Sequence, residues 1–84
     1  NKEISFLTGL KIIGLDDVGV IHKITNLISG ELKFNISAMT IEAKEGIFEG
    51  NVKIFVHDKE ELDELVDRLN AMSGIERVDR YDTE

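Results

Sequence analysis

The sequence predicts an α+β fold: one four-stranded antiparallel sheet with two helices on one face. Three observations carry that prediction. Four segments have strand character, the clearest over Ile47–His57, where Val52, Ile54 and Val56 alternate with Lys53 and Phe55. Two others, Val20–Leu32 and the stretch after Asp58, place their apolar residues on a single helical stripe. Turn signals separate the segments in the order β-α-β-β-α-β. A helix with one apolar stripe needs one sheet face, and right-handed β-α-β crossovers put both helices on the same side.

The first strand, Phe6–Leu15, contains Leu10, Ile12, Ile13 and Leu15, with Gly9 and Gly14 as weak points. It runs into the acidic turn Asp16-Asp17. Either carboxylate can cap the next helix by accepting from its free first-turn N–H groups. Gly19 then opens a helix over Val20–Leu32, with Val20, Ile21, Ile24, Leu27 and Ile28 on one face. The second strand is expected over Phe34–Ala43 and the third over Ile47–His57. Lys44-Glu45-Gly46 between them is a hairpin signal, with a glycine available for positive φ. Asp58-Lys59-Glu60-Glu61 is a capping-box variant with Asp58 as N-cap. The helix it starts carries Leu62, Leu65, Val66, Leu69 and Met72 on one stripe and spaces Glu64 and Arg68 for an ion pair. Ser73-Gly74 stops it, Gly74 suiting the left-handed C′ position. Ile75–Tyr81 is the last strand. The product is a ferredoxin-like sandwich with one open sheet face. Its edges, the second and last strands, are free and invite pairing.

Eighty-four residues make one small domain, residues 1–84. A chain of this size buries roughly 60–65% of its unfolded surface, enough for a single core. It has no cysteine, which excludes disulfides and thiolate metal sites and favours an intracellular, cytoplasmic origin. No apolar run approaches the ~20 residues of a membrane span, and no signal-peptide pattern is present. Asn35-Ile36-Ser37 matches a glycosylation sequon, a chance match in a chain with no sign of secretion. The chain begins at Asn1 rather than methionine, so we expect a fragment of a longer protein. The net charge of −7 opposes autonomous nucleic-acid binding. It concentrates in Asp58–Asp67, read as a solvated helix face, and in Asp79–Glu84, read as a polar tail.

Catalytic residues do not stand out. His22 and His57 lack metal spacing and read as surface residues. Asp16-Asp17 has no companion acid, base or nucleophile and reads as a cap. Gly14 and Gly19 form no phosphate-binding glycine pattern. Lys53 and Phe55 could mimic an RNA-recognition surface, but the basic-aromatic signature is missing. A free-standing small enzyme of the acylphosphatase kind would want a phosphate-cradling arginine, and Arg68, Arg77 and Arg80 all come late. No cofactor is implied. What remains is a strand end, a helix N-terminus and a bare glycine together. Asp16, Asp17, Val18, Gly19, Val20 and Ile21 are therefore the candidate small-ligand or partner site.

Asp16-x-x-Gly19-Val20-Ile21, Ile24-Thr25, Asn35-Ile36 and Gly74-Ile75-x-x-Val78-x-Arg80, in this order of elements, resemble the ACT domain over Leu10–Arg80. The pattern is most similar to the C-terminal ACT domain of RelA/SpoT-type (p)ppGpp synthetases and hydrolases. That family has an arginine where Asp17 stands, so the local charge is inverted. The resemblance implies a non-catalytic regulatory and dimerising domain whose parent enzyme carries the chemistry elsewhere. It also implies a ligand site between two subunits. Asp16 and Gly19 would come from the loop of one, and Asn35 with Ile36 from the other. Gly14 falls where some amino-acid-binding members have a polar side chain. The implied partners are a second copy, other domains of the parent and a small effector such as an amino acid. An amino-acid-sensing ACT domain of a biosynthetic enzyme is the alternative.

Overall fold

The computed structural model describes residues 4–82. Its elements are β1 (Phe6–Leu15), α1 (Val18–Thr25) continuing as a π-helical segment (Asn26–Glu31), β2 (Asn35–Lys44), β3 (Ile47–Val56), α2 (Lys59–Asn70) and β4 (Ile75–Asp82). The sheet is antiparallel with strand order β2-β3-β1-β4, so β2 and β4 are the edges as expected.

The core follows the strand alternation. Leu10 and Ile12 of β1 and Phe48, Val52, Ile54 and Val56 of β3 point to the helix side and are buried. Val20, Ile24, Leu27 and Ile28 close over them from the first helix, and Leu62, Leu65 and Leu69 from the second. Each such side chain contributes roughly 1.5–3 kcal/mol by leaving water. The odd residues of β1 and β3 lie on the open face. Lys11 meets Glu49 there at 3.9 Å, and Arg77 of β4 meets Asp79 at 2.9 Å. Pairing of this kind keeps an uncovered sheet face compatible with water.

Several boundaries differ from the sequence reading. The first helix begins at Val18, not Val20, because the Asp17 carboxylate caps it and accepts from Gly19 N–H at 2.8 Å. Asp16 does not cap; its backbone N–H donates to Gly46 O at 2.9 Å. The helix does not stay α-helical to Leu32. The Thr25 and Ser29 hydroxyls donate to the Ile21 and Thr25 carbonyls, a side-chain competition that bends helices. The chain widens into the π segment, where Leu32 N–H reaches Leu27 O at 2.9 Å. Lys33 then turns it at φ 60°.

Gly74 has positive φ, 93°, but is not the C′ residue, because α2 is capped at Ala71. Gly74 sits instead in a turn closed by Ile75 N–H to Met72 O, at 3.3 Å. Asp79–Asp82 is not a polar tail; it belongs to β4, while Thr83 and Glu84 lie outside the described residues. The Asp58 cap is as expected, accepting from Glu61 N–H at 2.8 Å. The Glu61 carboxylate reaches back to His57 N–H, also at 2.8 Å. Glu64 pairs with Arg68 at 3.8 Å, although Arg68 lies closer to Glu31, at 2.8 Å. The β2–β3 hairpin turns on Glu45 and Gly46, at φ 56° and 83°, the two positive values of a type I′ turn.

Candidate functional site

The loop from Leu15 to Gly19 is held at both ends of its first turn. Leu15 N–H donates to Gly74 O at 2.8 Å and Asp16 N–H to Gly46 O at 2.9 Å. Three connections therefore meet at one end of the sheet: the β1–α1 loop, the β2–β3 hairpin and the α2–β4 turn. Asp16, Asp17, Val18 and Gly19 are exposed there, Val20 is buried in the core and Ile21 is half-buried.

The donors of this helix start are largely engaged. The Asp17 carboxylate takes Gly19 N–H, and Asp17 O takes Val20 and Ile21 N–H at 3.0 and 3.1 Å. An incoming carboxylate would compete with Asp17 for Gly19. Around Gly19 itself there is room: a Cβ built there meets only Asp17 Oδ1, at 3.2 Å. Gly14 is the opposite case. A Cβ there would stand 2.6 Å from Gly74 O and 2.8 Å from the Phe48 ring. No polar side chain fits at Gly14 without moving one of these neighbours.

Asn35 and Ile36 are not beside the loop. Asn35 pairs with Phe55, and Phe55 with Leu7, whereas Leu15 pairs with Ile47 and Ile47 with Lys44. At ~3.3 Å per residue, Leu7 and Leu15 are about 26 Å apart along β1. One protomer thus keeps the two halves of the candidate set at opposite ends of its sheet. Asn35 is exposed and Ile36 half-buried. They directly precede Ser37, where the β2–β3 register slips by one residue. Such a bulge, like the π segment before it, carries no signal in apolar periodicity.

His22 and His57 are exposed, as expected of surface histidines, and His57 faces Glu61 at 3.3 Å. Among the described residues no three metal-ligating side chains group together. No described helix is long and apolar enough to cross a membrane. Lys53 and Phe55 lie next to each other on β3, both exposed.

Comparison with known proteins now bears on this geometry. No curated protein matches the chain. The crystal structure of the ACT domain from GTP pyrophosphokinase of Chlorobium tepidum is similar, with a TM-score of 0.84 and 37% identity. That match covers 93% of this chain and 100% of the other. The solution structure of the same domain gives 0.82 and 36%, covering 95% and 90%. The C-terminal domain of the MgtC protein from Mycobacterium tuberculosis, at 13% identity and a TM-score of 0.74, shares the fold over 100% of this chain and 93% of that one. The family model of the ACT domain matches residues 2–80. With sequence profile, strand order and helix placement in agreement, the chain belongs to the ACT domain family.

Proposed function

We propose that the chain is the regulatory and dimerising module of a RelA/SpoT-type GTP pyrophosphokinase. In this reading the parent enzyme transfers pyrophosphate from ATP to GTP and hydrolyses the product in other domains. This domain carries no catalytic residue and needs no cofactor. It works in the cytoplasm, away from membranes, and relays starvation signals to the catalytic half. It does not bind nucleic acid on its own.

The observation that carries the reading is the separation of Asn35 from the Asp16–Gly19 loop, together with the free β2 edge. An isologous contact that pairs β2 with β2 of a second copy runs the strands antiparallel. The Asn35 end of one strand then lies beside the Lys44 end of the other. Lys44 neighbours Ile47, and Ile47 neighbours Leu15 at the loop. Dimerisation thereby brings one subunit's Asn35 and Ile36 toward the other's loop, and a small effector such as an amino acid would bind between them.

Sedimentation equilibrium in the micromolar range should show a dimer. Ile41→Glu, which puts a carboxylate beside the two-fold of the β2 contact, should give a folded monomer. A clean monomer for the parent chain overturns the proposal. So does a dimer indifferent to this substitution. NMR titration with the twenty amino acids and with (p)ppGpp should move the Asp16–Ile21 and Asn35–Ile36 amides together. Shifts in only one of those two groups would refute the shared site.

A further inference from the structure

The loop end also carries an apolar feature that extends beyond the Asp16–Ile21 segment proposed for the effector. Three large apolar side chains are exposed there from three elements: Leu15 at 52%, Val18 at 83% and Ile47 at 42%. Leu15 and Ile47 are directly opposed in the β1–β3 ladder and so share the open face. Beside them a shallow cleft of about 360 Å³ runs between Gly14, Leu15, Ile47, Gly74, Ile75 and Glu76. Its floor is closely packed, since a Cβ at Gly14 would meet Gly74 O and the Phe48 ring.

The surroundings of this patch are acidic. Asp16 and Asp17 lie between Leu15 and Val18 in the chain, Glu45 is in the hairpin turn before Ile47, and Glu76 lines the cleft. All four are exposed. The cations that adjoin them are Lys44, the register partner of Ile47, and Arg77, whose guanidinium is engaged by Asp79 at 2.9 Å. Beyond the β2 contact, a further copy of a chain of net charge −7 would bring more negative charge to this rim. A phosphate backbone or an anionic membrane would do the same. Apolar side chains set among carboxylates fit a partner with the opposite pattern.

We infer that the loop end is a docking surface for a cationic amphipathic protein segment. Its apolar side chains would cover Leu15, Val18 and Ile47, and its lysines or arginines would face Asp16, Glu45 and Glu76. The inference builds on the regulatory reading, because such a segment would couple the loop to another part of the parent enzyme.

The test uses an amphipathic leucine–lysine peptide of about four helical turns. Its leucine–glutamate counterpart is the control, and both are titrated into the labelled 84-residue chain by NMR. The lysine peptide should shift amides at Leu15–Gly19, Glu45–Ile47 and Ile75–Arg77, less so as salt rises. The glutamate peptide should shift none of them. L15S/V18S/I47S replaces only exposed side chains and should stay folded, yet weaken binding about ten-fold or more. Helix α2 is the built-in competitor, since it exposes Glu60, Glu64 and Asp67 without exposed apolar side chains. Shifts centred on α2 would mean charge attraction alone and overturn the inference. Binding untouched by the triple variant, or no binding, would overturn it too. The dimer measured by sedimentation would survive those outcomes, so the regulatory reading is judged separately.

Discussion

Gly14 and Gly19 lie five residues apart at the same end of the molecule and should respond oppositely to a methyl group. Gly14→Ala puts a Cβ 2.6 Å from the Gly74 carbonyl oxygen and 2.8 Å from Cε2 of Phe48. Neither neighbour can yield easily. Gly74 O accepts the Leu15 N–H, and Phe48 is only 1% exposed. Overpacking of this kind costs about 1–3 kcal/mol, and here both the backbone turn and the core ring must move. For a domain of this size about 2–3 kcal/mol corresponds to a fall in melting temperature of roughly 10–20 °C. Gly19→Ala meets only Asp17 Oδ1, at 3.2 Å, in a helix that favours alanine by up to ~1 kcal/mol. A strained cap would give some of that back, so we expect a change within about 1 kcal/mol. Thermal unfolding followed by circular dichroism compares both variants with the parent. A Gly14→Ala variant as stable as the parent would refute the close-packing account and reopen position 14 to ligand contact. A large loss at Gly19 would show that the helix start tolerates no side chain even without a partner.

Two further outcomes test the fold. Lys33 holds φ 60° without being glycine, a conformation that costs an L-residue about 1–2 kcal/mol; allowing for the greater unfolded-state freedom of glycine, Lys33→Gly should raise the melting temperature by a few degrees, and a fall would show that the Lys33 side chain matters more than its backbone. The Asp63 carboxyl is held below its usual range by the hydrogen bond from Lys59 and by the charges of Lys59 and Arg80, against some desolvation. Its contribution is therefore present above the unfolded carboxylate pKa and lost as pH falls through the lower folded value. Asp63→Asn should thus be less stable than the parent near about pH 6, and the two should converge in strong acid. A carboxyl NMR titration that finds Asp63 in the ordinary range would refute the pairing.

The elements were legible because their signals are local. Alternation over Val52–Val56, the Asp58 cap and the Glu45-Gly46 turn each specify a few backbone angles, and the structure has them. The missed features are those where one residue is added to a regular element. The slip at Ser37 and the register shift beside Gly14 depend on strands distant in sequence, and the π segment after Thr25 on hydroxyl–carbonyl bonds that leave the apolar spacing unmarked. Apolar periodicity reports which face a residue takes, not how many residues the chain spends between two faces. Gly14 shows the same limit. In the sequence it is a weak point of a strand, and only the fold puts Gly74 and Phe48 against it.

The candidate set was named from the sequence, and its division between two subunits came only from what the family resemblance implies. Asp16 and Gly19 could be picked out by residue type and Asn35 through the family resemblance, but only the ladder shows that the β1 positions level with Asn35 and with the loop, Leu7 and Leu15, are about 26 Å apart. That distance is the reason to look for function in pairs of chains. A pocket closed within one protomer would bind its effector regardless of oligomeric state. In the proposed dimer, a set divided between the two ends of an edge-limited sheet would make binding and dimerisation one equilibrium, because each ligand would count toward the contact that builds its own site. Effector affinity should then rise with protein concentration through the dimerisation range, and effector should tighten the dimer by the same factor. Titrating one at fixed amounts of the other measures both sides of that linkage. A binding constant independent of protein concentration would place the site within a single subunit and remove Asn35 from it.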